Sequence, residues 1–454
     1  MEYKDFKIRF LRPHYLPDRG EVFTISVESP AGNDQGEFII PFSHQDLTQK
    51  LLSSGLVTRS GSFERAQVNN EKVYTTMNEL GTQLFSAIFG DKNIKDLYLK
   101  NLSMIQGHSE TGLRIKLCIN PEYQDLARLM NLPWEYIYDP LEKRDFLNLF
   151  EALPVVRYLD LKRPVGPIKV DKLPLKILVM LSSPADYPEL DIKKEKLLLR
   201  EAFVKHPEIQ VDFLEKASLL DLKDRLSEDE YHIFHYIGHG GFDKETGQGI
   251  LIFEDPDGGG FFVSGEKLKR AFRGSSVGIV FLNACETARI SAEKDPFAGV
   301  ASSLMIENIL AVVAMQFPIS DTSAIVFSKK FYTSLAQGNP IDQAVTKSRQ
   351  AIDLSSFETL EWGIPVLFMR SENGVVFELK EKAKLEEMPS TQPSSTRISE
   401  PEGIPGHGRQ QTRSIKDKEI PAKEEKPKLK FCRACGERLV SGAKFCKNCG
   451  TKII

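Results

Sequence analysis

"LKILVML" (residues 175–181) is the stretch that decides the fold. It is a short apolar run without alternation, the pattern of a strand buried on both faces. "LDIKKEKLLLREAF" follows and reads as a helix, then "IQVDFLE" as a strand. "SLLDLKDRLSE" reads as a helix with Ser218 at its N-cap. "YHIFHYIG" (231–238) is the next strand. "GILIFED" and "GGFFVS" bracket turn residues and predict a hairpin. "SGEKLKRAF", "DPFAGVASSLMI" and "DTSAIVFSKKFYTSLAQG" read as helices, with "VGIVFLNA" and "ILAVVAMQF" as strands between them. "NPIDQAVTKSRQAI" opens with Asn339 as the expected cap and Pro340 in the first turn. In it Ile341, Ala344, Val345 and Ile352 share one face. Strands alternating with helices predict an α/β fold, a mostly parallel sheet with helices on both faces.

Working outward, 454 residues are too many for one core, and two or three domains are expected. Upstream, "EVFTISVES" and "GEFIIPF" are strand-like, "YTTMNELGTQLFSAIFG" has helical spacing, and "LRIKLCIN" is a strand carrying Cys118. "ALPVVRYLDL" resembles another strand. "KRPVGPIKVDKLP" holds three prolines and reads as a connector, with a boundary near 165–172. Downstream, Glu378–Lys430 contains no aromatic residue and is rich in Pro, Ser, Lys and Glu. Such a segment buries too little apolar surface to offset its ordering entropy, so 381–428 reads as a disordered linker. The expected division is an N-terminal region of unassigned role (1–112), an upstream part (113–170), the regular α/β region (171–380), the linker, and a small module (429–454).

Composition excludes some classes. The net charge is −3, so no global field attracts nucleic acid or an anionic membrane. No segment holds the roughly 18 unbroken apolar residues of a membrane span. "MEYKDFKIRF" is charged from its second residue and does not read as a signal peptide, which makes the cytoplasm the expected location. The six cysteines are four crowded near the C-terminus plus Cys118 and Cys285, which is not a secreted disulfide framework.

In an open parallel sheet, sites form beyond the carboxyl ends of the strands. "YHIFHYIGHGG" places His239 just past one strand, and "VGIVFLNACETA" places Cys285 just past another, 46 residues later. If the two strands are adjacent, both ends share one edge. Alone, a Cys ending an apolar strand is more often a buried hydrophobe, and Cys118 fits that description. Beside a His, the thiol can lose its proton and attack a carbonyl carbon, and the imidazolium then protonates the leaving amine. The oxyanion needs backbone donors, for which the N–H groups of Gly240 and Cys285 are the candidates. His232 and His235 alternate with Phe234 and Tyr236, and His235 reads as structural or as a support behind the site. Asp321 is either a helix N-cap or a contact for a cationic substrate residue. Glu286 either orients the site or binds substrate, and Asn283 and Thr287 are expected to shape the turn.

"HYIGHGG", "FLNACETA", "VVAMQFPISD" and "WGIPVLF" together resemble the CHAT family of caspase-like cysteine peptidases, in the wider group of caspases, gingipains and separases. "LPWEYIYDP" and "LPVVRYL" extend the resemblance over roughly 113–372. It implies that His239 is the catalytic histidine and Cys285 the nucleophile, hydrolysing peptide bonds in a protein substrate with no cofactor. The His–Cys spacing is close to the about 50 residues seen in caspases. The resemblance also implies a caspase-type sheet whose upstream half is a degenerate copy lacking the dyad. A regulatory protein partner is expected, because a reactive thiol in a cell needs a gate. The competing expectation is a catalytically silent scaffold of the same fold.

"FCRACGERLVSGAKFCKNCG" carries Cys432-x-x-Cys435 and Cys446-x-x-Cys449. Two such knuckles supply four thiolates for tetrahedral zinc, with no position left for a reacting water, so the site is structural. The stretch resembles short zinc ribbons. A redox pair is the alternative reading. Arg433, Arg438, Lys444, Lys447 and Lys452 give the module a basic surface, but few aromatics accompany them. Protein docking is therefore at least as well supported as nucleic-acid binding.

Overall fold

The computed structural model describes residues 1–54, 56, 70–161, 165–243, 245–246, 248–286, 296–355 and 360–379. The expected linker, the four ribbon cysteines and Thr287 lie outside the described residues, as do the side chains of Cys285 and Glu286.

In chain order, the first half holds β1 (Glu2–Leu16), β2 (Gly20–Ser29), β3 (Gly32–Phe38), α1 (His44–Ser53), α2 (Asn70–Phe89), α3 (Lys92–Ile105), β4 (Thr111–Ile119), α4 (Gln124–Ala127), β5 (Tyr138–Asp139), β6 (Asp145–Phe146) and β7 (Val155–Leu159). The connector carries β8 (Ile168–Val170). The second half holds β9 (Leu175–Leu181), α5 (Ile192–Phe203), β10 (Ile209–Phe213), α6 (Leu219–Glu228), β11 (Ile233–Phe242), β12 (Gly249–Glu254), β13 (Gly260–Ser264) and α7 (Gly265–Phe272). It continues with β14 (Ile279–Glu286), α8 (Pro296–Ile306), β15 (Ala311–Met315), α9 (Asp321–Ala336), α10 (Ile341–Ser355), β16 (Pro365–Met369) and β17 (Phe377–Leu379).

One sheet of 13 strands runs through both halves, in the order β10-β9-β11-β14-β15-β16-β7-β4-β1-β2-β3, with the β12–β13 hairpin attached to β11. Strands β10 to β15 on this path are parallel, β16 is antiparallel to β15, and β7, β4 and β1 continue parallel to β16. The connector therefore does not interrupt the sheet. Its β8 pairs with β17.

The apolar runs become buried strands because helices cover both faces. Tyr332 of α9 meets His235 of β11 and Phe203 of α5 on one face. Phe272 of α7 packs on Phe234 on the other, with ring centroids 5.3 Å apart. In the first half, Phe6 of β1 packs on Phe89 of α2 and Tyr98 of α3.

The two halves meet at a buried ionic seam. Arg157 of β7 pairs with Glu135 and donates to Leu132 O at 3.0 Å and to Gln316 Oε1 at 3.2 Å. Arg349 of α10 donates to Asn148 Oδ1 at 2.7 Å and Pro365 O at 2.8 Å, and lies 3.8 Å from Glu135.

Two local expectations change. Asn339 does not cap α10: its side-chain amide donates to Ser334 O at 3.1 Å, closing the end of α9. The preceding helix leaves unsatisfied carbonyls, and a short amide within reach serves them first. Asp321 is not the cap of α9 either. Ser320 holds that place with extended backbone and accepts from Ser323 N at 3.2 Å, which leaves Asp321 as the first helical residue.

Candidate active site

Strands β11 and β14 are neighbours and parallel, with His239 directly opposite Cys285 and Gly240 opposite Glu286. Both residues lie inside their strands rather than just past them. The reason is the hairpin. β9 pairs with β11 only as far as Ile237, and β12 takes over the same side from His239 to Phe242, so the ladder continues. Asn283, expected in the turn, is likewise within β14 opposite Ile237.

His239 is 2% exposed. Its Nε2 lies 2.8 Å from the carbonyl oxygen of Pro188. A carbonyl only accepts, so Nε2 carries the proton and Nδ1 presents its lone pair. Nδ1 is buried and has no hydrogen-bond partner among the described residues. Burial pushes the imidazole below its ordinary pKa, and the Pro188 carbonyl opposes that shift more weakly. The Tyr187 ring stacks on the imidazole, with centroids 5.4 Å apart and planes at 28°.

Tyr187 and Pro188 belong to "SSPADYPELD" (182–191), which joins β9 to α5 and which the sequence reading passed over. The loop is tied to the hairpin: Ala185 N donates to Gly258 O at 2.9 Å, and Asp186 Oδ1 accepts from Gly260 N at 2.7 Å. A Cβ at Gly260 would lie 2.6 Å from Tyr187 Cε2, so only glycine lets the ring seat there. Two prolines and a tyrosine directly after the first regular strand were the available signal, since that loop must lie at the same carboxyl edge.

The other candidates fall as follows. Gly240 sits in β11 between Leu251 and Glu286. Asp321 Oδ2 pairs with Lys194 Nζ of α5 at 2.6 Å, both more than half exposed, so its charge is already countered from within the chain. The partly buried Glu195 next to that pair is pushed above the ordinary carboxylate pKa by desolvation and then by Asp321. Cys118 is fully enclosed in β4, and burial pushes its thiol up to about 12, so it is an inert core residue. His232 Nδ1 accepts from Lys176 N at 2.9 Å, and His235 Nδ1 lies 3.1 Å from Tyr332 Oη.

An open, mostly parallel sheet with helices on both faces, and a histidine and a cysteine in register near the carboxyl ends of adjacent strands, is the architecture expected from the motifs. The CHAT domain family model matches residues 79–369, well over half of the chain, and the chain belongs to that family. A zinc-ribbon domain model matches residues 431–453. No curated protein matches the chain. Among solved structures, two crystal structures of the Saccharomyces cerevisiae separase–securin complex are similar, at 2.6 and 3.0 Å resolution and both at 14% identity. They cover 83% and 82% of this chain with TM-scores of 0.43 and 0.42. The match spans 30% of the length of the chain in each of those structures.

Proposed function

We propose that the protein is a cysteine endopeptidase that cleaves protein substrates with Cys285 as nucleophile and His239 as its base. The observation that carries this reading is the register: His239 and Cys285 are opposite each other on neighbouring strands, and within the His239 ring the nitrogen with no partner among the described residues is Nδ1. Adjacent strands run about 4.8 Å apart, within the reach of a Cys–His pair. In this mechanism Nδ1 takes the thiol proton, sulfur bonds to the substrate carbonyl carbon, and the carbonyl electrons move to oxygen. The N–H groups of Gly240 and Cys285 are taken up in the β11–β14 ladder, where His239 pairs with Cys285 and Gly240 with Glu286, so the oxyanion is left to donors outside that pairing. Collapse of the intermediate expels the amine, which takes the proton back from Nδ1. Water then cleaves the thioester. The Pro188 carbonyl holds the tautomer this cycle requires, and it stabilises the imidazolium at Nε2–H. Glu286 is assigned to the substrate side, and so is Asp321, which would exchange its exposed pair with Lys194 for a cationic substrate residue. A cytoplasmic location and a regulatory protein partner complete the reading.

Labelling with a thiol-directed peptide electrophile tests it. Cys285 is expected to react, and His239→Ala to abolish the reaction. Reaction at Cys118 instead, or an equal rate in His239→Ala, overturns it and leaves the scaffold reading.

For the C-terminal module we propose structural zinc at Cys432, Cys435, Cys446 and Cys449. Four thiolates in two Cys-x-x-Cys knuckles fit tetrahedral coordination, and so small a module depends on metal to fold. Purified chain is expected to carry one zinc, lost in Cys432→Ser. Metal-free wild-type chain with a Cys432–Cys435 disulfide would favour the redox alternative.

A further inference from the structure

The side chain of Tyr236 lies on the opposite face of β11 from His239, yet it reaches the same peptide group. Tyr236 is fully buried. Its hydroxyl lies 3.0 Å from His239 O and 2.7 Å from Ile252 O, and its ring stacks on Phe253 with centroids 5.4 Å apart. The side chain folds back along its own strand over Gly238. A Cβ at Gly238 would lie 2.3 Å from that hydroxyl and 2.5 Å from Cζ, so "YIGHG" needs its first glycine to admit the tyrosine. Gly238 is also the single residue between the β9 pairing, which ends at Ile237, and the β12 pairing, which starts at His239. Ser182 spans the same junction, donating from N to Ile237 O at 2.9 Å and from Oγ to Ile252 O at 2.8 Å.

The direction of the held peptide follows from strand geometry. Ile237 O accepts from Ser182, on the side of β11 taken first by β9 and then by β12. Alternate residues of a strand point their carbonyls the same way, so His239 O lies on that side too. Across a trans peptide the C=O and N–H point in opposite directions, and the Gly240 N–H is therefore turned toward β14 and Cys285.

We propose that Tyr236 is a positioning residue: its hydroxyl fixes the His239–Gly240 peptide plane and so sets the imidazole relative to Cys285. This rests on the Cys–His reading above. A tyrosine serving only as packing would need its hydroxyl no more than Tyr332 does. Tyr332 is equally buried, and its hydroxyl is bonded to His235 on the other face. The comparison of Tyr236→Phe with Tyr332→Phe isolates the role.

The readout in the full chain is the rate of Cys285 alkylation by iodoacetamide across pH, with hydrogen exchange of residues 233–242 alongside. Misplacing a reacting group by a fraction of an ångström slows chemistry steeply, and Tyr236→Phe is expected to slow alkylation about tenfold at neutral pH. Its pH profile moves and Gly240 exchanges faster, while Tyr332→Phe matches wild type. Wild-type kinetics in Tyr236→Phe, or equal slowing in both variants, overturns the proposal. A wild-type rate that does not depend on His239 overturns the dyad reading instead. If Tyr236→Phe fails to fold, Ser182→Ala is read in its place. It loosens the same junction, and a smaller slowing is expected; an unchanged rate then overturns the proposal.

Discussion

His232, His235 and His239 stand within eight residues and meet three different environments. Both His239 and His235 keep one nitrogen with no partner among the described residues, Nδ1 in the first and Nε2 in the second, but His239 lies opposite Cys285 whereas His235 is sealed between Tyr332 and Phe281. Desolvation alone pushes His235 down to about 3. The unfolded chain takes a proton near pH 6.5, and the folded protein refuses it until about pH 3. The stability this group allows is therefore complete above about pH 6.5 and is lost as pH falls, by about 1.4 kcal/mol per unit, levelling off near the folded value. Burial shifts His232 and His239 in the same direction. His235→Gln, which keeps an acceptor for Tyr332, is expected to flatten the acid side of the stability curve by one proton. Urea unfolding at pH 7, 6 and 5 measures this, and an unchanged slope would contradict it.

At the scale of elements, what was legible had a local cause. The run 175–181 is β9 residue for residue, the hairpin is β12–β13, and Ser218 caps α6 with its hydroxyl accepting from Asp221 N at 3.1 Å. Each rests on side chains only a few positions apart. β1 was not read because Asp5, Lys7 and Arg9 alternate with Phe6, Ile8 and Phe10 at the very start of the chain. Its polar side is satisfied by distant partners, such as Asp160 for Arg9 and Lys116 for Asp5. The histidine and the cysteine were legible as residue types after apolar runs. Their inclusion in the strands was not, because it depends on β12 replacing β9 beside β11. The Pro188 carbonyl was hidden for a related reason: a main-chain group has no letter of its own.

For the whole molecule, the seam between the halves matters most. Glu135 is the carboxylate that faces both Arg157 and Arg349 there. Removing one partner of a buried ion pair leaves charge uncompensated and costs about 3–5 kcal/mol. Glu135→Gln is expected to lose that much, read from denaturant unfolding by intrinsic fluorescence. Of the chain's two tryptophans, both buried, Trp362 packs across the halves on Tyr136 and Phe146, and Trp134 directly precedes Glu135, so the signal reports on the seam. A loss below about 1 kcal/mol would mean that the halves are held by apolar packing instead.

The position of β16 has a consequence for how the molecule is made. Pro365–Met369 is the last strand of the large sheet to be synthesised, yet it lies in the middle, between β15 and β7. A ribosome that has released everything up to β15 has released two separate sheets, each with an open edge. Only the final strand joins them, so the order of synthesis delays the joining of the two halves until almost all of the sheet has been made.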